Sequence, residues 1–285
     1  MQPSPEKEVE RYLRSGDYDT FYCAWPGQDL IARSRLGNSA LRAALVSAVH
    51  SRAPHATAPE ALASIDVVAF TRAKVAPMVR ALFPSCEQEM VLALLERSVV
   101  FLTPITIDTV LEKTSWPQTA WELANLYLAS FGAELLSESA PQIFGLSEET
   151  TCYVSAEYFR TESRFDDFVV HEAAHIFHNC RRRTIGLREI RGREWLLEID
   201  FVKRETFAYA CEAYSRILNL GDSLPKRRTL LSEIGKAPMP ADERVDTSEY
   251  MEILREAVAS RNGWKRILKR CTPPRPARRV GLGAG

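Results

Sequence analysis

The stretch His171-Glu172-Ala173-Ala174-His175 sets two imidazoles one helical turn apart with a carboxylate between them. On a helix, residues at i and i+4 project from one face, so both rings can close on a single metal ion. Glu172 can then reach a water held at that ion, which is the arrangement zinc-dependent hydrolysis needs. Only five histidines occur in the 285 residues, and two of them are spent here. A surface helix with two solvated histidines is the plainer alternative. It accounts neither for the placement of Glu172 nor for the apolar residues around the motif.

Those residues define the element that must position the pair. Ser163-Arg164-Phe165-Asp166-Asp167 reads as a helix start, with Ser163 as N-cap and acids in the first turn. Val169, Ala173, Ile176 and Cys180 then recur at helical spacing. They predict one face packed inward and the opposite face, with His171 and His175, turned to a cleft. Asn179 and the run Arg181, Arg182, Arg183 suit the helix C-terminus.

A catalytic zinc normally takes three protein ligands and keeps a fourth position open. His178 shares the face of His171 and His175, but three ligands in a row on one straight helix do not readily surround a tetrahedral ion. It suits the cleft wall or a place behind a ligand. The metzincin pattern requires Gly and then His at the positions held here by His178 and Arg181, so that class is excluded. Asp200 is within reach along the chain but lies in no supporting motif. Glu205 lies in a predicted helix from about Ile199 to Leu220, free of Pro and Gly until Gly221. Glu205, Tyr209, Glu212 and Arg216 share one face of it, so Glu205 is the favoured third ligand and Glu212 the fallback. The plainer alternative for either is an ordinary exposed helix glutamate.

An HExxH motif followed by a helix carrying Glu resembles the gluzincin arrangement. The string Glu205-Thr206-Phe207-Ala208-Tyr209-Ala210-Cys211-Glu212 resembles the E-A-N-x-F-A-x-E helix of ImmA/IrrE-type metallopeptidases. The match sets Glu205 on the family's ligand position, Tyr209 on its aromatic and Ala210 on its Ala. Thr206 and Phe207 depart from the small residue and Asn usual there. The resemblance spans about residues 115 to 220, less than half the chain. It also implies that Thr151-Cys152-Tyr153-Val154-Ser155 is an edge strand that lines the cleft and pairs with an extended substrate.

On this reading zinc on His171, His175 and Glu205 brings the pKa of a water towards about 7 and polarises the substrate carbonyl. Glu172 is the general base and returns the proton to the leaving amine. His178, Tyr153 and Tyr209 are candidates for the donor that steadies the oxyanion. Glu212 or Asp200 could accept a hydrogen bond from the second nitrogen of an imidazole ligand.

The rest of the chain bounds the biology. Hydrophobic content of 46% with 26% charged residues is that of an ordinary globular protein. No run of 18 apolar residues occurs, and Met1 to Arg14 is charged without an apolar signal region. The expectation is a cytoplasmic protein with no membrane partner, delivery as a secreted effector being left open. Cysteines at 23, 86, 152, 180, 211 and 271 form no CxxC pair and read as reduced thiols. Cys180 and Cys211, near the motif helices, are expected to serve packing.

Helical patterns cover 39–52, 69–82, 86–99, 117–131, 247–259 and 262–270, with a first strand expected over 132–136. The fold class predicted is α+β and helix-dominated, a zincin-like core with a small sheet beside the two site helices. The expected organisation is an N-terminal helical lobe (1–100), the core (101–235), C-terminal helices (236–270) and a disordered basic tail (271–285). Net charge is zero, yet segments 181–193 and 265–279 are basic and could touch nucleic acid or another acidic partner. No glycine-rich phosphate loop or internal repeat is present. The function expected is zinc-dependent hydrolysis of a protein or peptide, by a regulatory protease cleaving a repressor or by a protease toxin or effector. The competing reading is a catalytically inactive zincin scaffold that binds an acidic partner.

Overall fold

The computed structural model describes residues 4–141, 143–160 and 164–274. Helices dominate them, and one three-stranded mixed sheet completes the α+β class expected. The chain forms two compact units, each assembled from two separate stretches: residues 1–74 with 95–163, and residues 75–94 with 164–285. No helix among the described residues is long and apolar enough to cross a membrane. None of the six cysteines, all among the described residues, is joined in a disulfide.

The first unit holds the sheet, made of β1 (Val99–Leu102), β2 (Gly145–Glu148) and β3 (Thr151–Ser155). β3 pairs in parallel with β1, Val99 opposite Cys152, and antiparallel with β2, Gly145 opposite Val154. The order β1-β3-β2 makes β3 the central strand. This corrects the edge-strand expectation: both backbone edges of β3 are taken up by the ladder, leaving none for an extended peptide. β1 falls at the end of the apolar run read as helix over 86–99. That helix stops at Leu95, and the short apolar stretch after it has no periodicity to mark it as a strand.

The strand expected over 132–136 is absent. Gly132, at φ 64°, turns the chain out of the helix Pro117–Ser130, and the Ala133 amide donates back to the Leu128 carbonyl. The Leu136 amide donates to the Asn125 side chain rather than to a neighbouring strand. Leu41, Leu45 and Val49 of the helix Leu30–Arg52 join Trp121, Leu123 and Leu128 of Pro117–Ser130 in one core. Tyr12 ties the helix Pro5–Ser15 to this core by donating its hydroxyl to the Pro117 carbonyl at 2.6 Å.

The second unit is helical. Phe168–Asn179, the histidine helix, packs on Arg204–Leu220, the glutamate helix. Leu224–Ile234, Thr247–Ala259 and Gly263–Cys271 also pack against the glutamate helix. The last two start at Asp246 and Asn262, whose side chains accept from the amides of Glu249 and Lys265 at 2.9 and 3.1 Å. A Cβ at Gly263 would come within 2.4 Å of the Tyr214 ring, so this close approach needs glycine. Of the basic C-terminal segment, residues 275–285 lie outside the described residues.

Candidate metal centre

The histidine helix begins at Phe168, capped by Asp167, which accepts from the Val170 amide at 3.4 Å. Ser163, the expected cap, lies outside the described residues. Val169, Ala173, Ile176 and Cys180 are fully buried, as their spacing predicts. Val170, Ala174 and Phe177 are fully buried too, and Glu172 and His178 nearly so. The helix is thus enclosed on almost every side, whereas the sequence pattern suggested one face open to a cleft. Its nearly all-apolar composition outside the histidines and Glu172 explains the difference, since a helix apolar all round belongs in a core.

His171, His175 and Glu205 form the one group of three potential metal ligands found among the described residues. The two Nε2 atoms lie 3.2 Å apart. Glu205 Oε2 is 3.4 Å from Nε2 of His175 and 3.7 Å from Nε2 of His171. Donors at about 2.0–2.1 Å from a tetrahedral ion sit about 3.3 Å from one another, so these separations suit a small divalent metal. The donor set, two imidazoles and a carboxylate, is one that zinc accepts. Asp200, Cys180 and Cys211 do not join the group. Asp200 instead caps the short turn Phe201–Lys203 through the Val202 amide.

The far nitrogens are engaged as well. His171 Nδ1 meets Glu212 Oε2 at 3.1 Å, while Glu212 Oε1 accepts from the Asp167 amide at 2.6 Å. Glu212, the fallback candidate, thus meets the second nitrogen of a potential ligand and ties the start of the histidine helix to the glutamate helix. His175 Nδ1 meets His178 Nε2 at 3.2 Å, which puts His178 behind His175. His178 Nδ1 is buried with no hydrogen-bond partner. Tyr209 lays its ring edge-on against His171, with centroids 4.5 Å apart.

Without a metal, the electrostatics pull in opposite directions. Burial lowers the pKa of His171, but hydrogen bonds to Glu205 and Glu212 prevail and lift it to about 10. Burial raises Glu205, but its contacts with His171 and His175 outweigh this and hold it well below the usual carboxylate range. Burial and the neighbouring His175 drop His178 to about 2, so it stays neutral. Tyr209 is pushed up to about 12, first by burial and then by nearby carboxylates that include Glu212 and Glu172. Glu172 is also close enough to His171 to favour its charged form.

Two residues of the site carry no motif signal. Arg244 extends Nη2 to Glu205 Oε1 at 3.2 Å. Asp242 holds the same guanidinium, accepting from Nε at 2.9 Å and from Nη2 at 2.5 Å. Both lie in the irregular segment between Leu224–Ile234 and Thr247–Ala259, where periodicity gives no guide.

The basic segment 181–193 is partly built into the unit rather than wholly solvated. Arg182 is buried against Glu87 at 2.5 Å, and Arg181 stacks on Trp195. Arg183, Arg188, Arg191 and Arg193 are exposed. Set against family models, curated proteins and solved structures, the chain matches none.

Proposed function

We propose that this chain is a zinc-dependent endopeptidase. The observation that carries the reading is the convergence of His171 Nε2, His175 Nε2 and Glu205 Oε2, on helices that also bring in Glu172 and Tyr209. When bound, zinc would polarise a peptide carbonyl and acidify a water molecule. Glu172 is the general base: it takes the proton of the attacking water on its carboxylate and passes it to the leaving amine. Tyr209, whose phenol stays neutral at neutral pH, donates its hydroxyl to the oxygen that gains charge. Glu212 and His178 hold the two imidazoles in orientation from behind.

The likeness of His171–His175 and Glu205–Glu212 to ImmA/IrrE-type metallopeptidases supports a peptide bond as the target, and a regulatory protein as the substrate. The exposed arginines of segment 181–193 suit an acidic stretch on such a substrate.

Metal analysis by mass spectrometry should find near one zinc per chain in the wild type and none in His175→Ala or Glu205→Ala. Glu172→Gln should keep its metal and lose activity by about a hundredfold or more. Full activity in Glu172→Gln would overturn the mechanism. A wild type that holds zinc but cleaves nothing across a proteome-derived peptide library would favour the inactive binding scaffold instead.

A further inference from the structure

The two oxygens of Glu205 are treated differently. Oε2 faces both imidazoles, at 3.4 and 3.7 Å, while Oε1 forms an ion pair with Arg244 Nη2 at 3.2 Å. Arg244 is not free to swing, because Asp242 grips it side-on through Nε and Nη2. The Arg244 amide also donates to Asp242 Oδ1 at 2.8 Å, closing a local turn, and the next residue, Val245, is anchored in the core. The arginine side chain itself is 64% exposed, against 15% for Glu205. An exposed side chain held along the Nε and Nη2 edge of its guanidinium by two carboxylates is poorly explained as packing.

A guanidinium next to a cation site also weakens cation binding by charge repulsion. Its value must lie elsewhere, and the coordination requirement of a hydrolytic metal indicates where. Such a metal needs an open position, and a carboxylate that binds through both oxygens crowds it with an additional ligand atom. We propose that Arg244, preset by Asp242, is a positioning residue that occupies Oε1 of Glu205 so that this ligand binds the metal through Oε2 alone. The inference rests on the metallopeptidase reading of the site.

The test uses the full chain loaded with Zn²⁺ or with Co²⁺, comparing wild type, Arg244→Met, Arg244→Lys and Asp242→Asn. In Arg244→Met, Zn²⁺ affinity measured against a competing chelator should be unchanged or tighter. The visible absorption of the Co²⁺ form should weaken as cobalt gains a fifth ligand atom. Peptide cleavage should fall by about 10–100-fold. Asp242→Asn should move each readout the same way by less, and Arg244→Lys should recover part of the wild-type spectrum. A Co²⁺ spectrum identical in wild type and Arg244→Met, or loss of the metal in that variant, would overturn the inference while leaving the zinc site standing. Failure of the wild type to bind either ion would instead remove the metal site itself, and the inference with it.

Discussion

The two imidazoles of the centre are backed by opposite chemistries. His171 leans on Glu212, a buried carboxylate that also binds the Asp167 amide, so one side chain links charge, ring orientation and helix packing. His175 leans on His178, a neutral imidazole with a second nitrogen that finds no partner. A carboxylate behind an imidazole raises its basicity, whereas a neutral ring only fixes its orientation. The contrast teaches that the support of His171 is shared with the fold, whereas that of His175 is local.

The largest effect should come from breaking the charged side. Glu212→Ala leaves His171 Nδ1 and the buried Asp167 amide without their acceptor, and should cost about 3 kcal/mol of stability in a denaturant titration. Zinc affinity should fall by up to about a hundredfold, read by competition with a chelator. Wild-type stability with a normal zinc affinity would show that Glu212 is a bystander.

A change of pH sharpens the same contrast. His171 is raised to about 10 in the metal-free protein, so its charged form adds stability that is fully present below about pH 6.5 and lost as pH rises through 10. Metal loading runs the other way, because the imidazole must give up that proton to bind. Between pH 6 and 9, zinc affinity should rise by about tenfold per unit for each proton released. Over the same range the melting temperature of the metal-free form should decline. Glu212→Gln should flatten both trends; if it leaves both slopes intact, the carboxylate is not what sets the basicity of His171.

The same contrast marks what the sequence could reveal. The i, i+4 histidines with Glu172 between them are a local pattern, legible because one helix fixes all three. Glu205 and Glu212 share a face of the next helix, so periodicity made both candidates. Choosing between them depends on how two helices cross, which is a tertiary fact that puts Glu205 at the Nε2 atoms and Glu212 at Nδ1. The central position of β3 was hidden for a similar reason: its parallel partner β1 comes from far earlier in the chain and reads as the tail of a helix. Arg244 was beyond reach altogether, since an Asp-x-Arg in an irregular segment looks like any solvated loop until its distance to Glu205 is known.

The smallest effect should come from the neutral side, and the split between stability and metal affinity is the most telling. His178→Phe keeps an aromatic ring of similar size and removes a buried nitrogen that has no partner. Stability should fall by no more than about 1 kcal/mol, since removing that unpaired nitrogen offsets part of the cost of leaving His175 Nδ1 without its partner. Zinc affinity should nevertheless fall by about tenfold, because His175 Nδ1 loses the acceptor that fixes its tautomer. Zinc affinity falling with little loss of stability in this variant, while both fall steeply in Glu212→Ala, would separate a purely local support from one shared with the fold. A parallel loss of both in His178→Phe would mean that the two sides are braced in the same way after all.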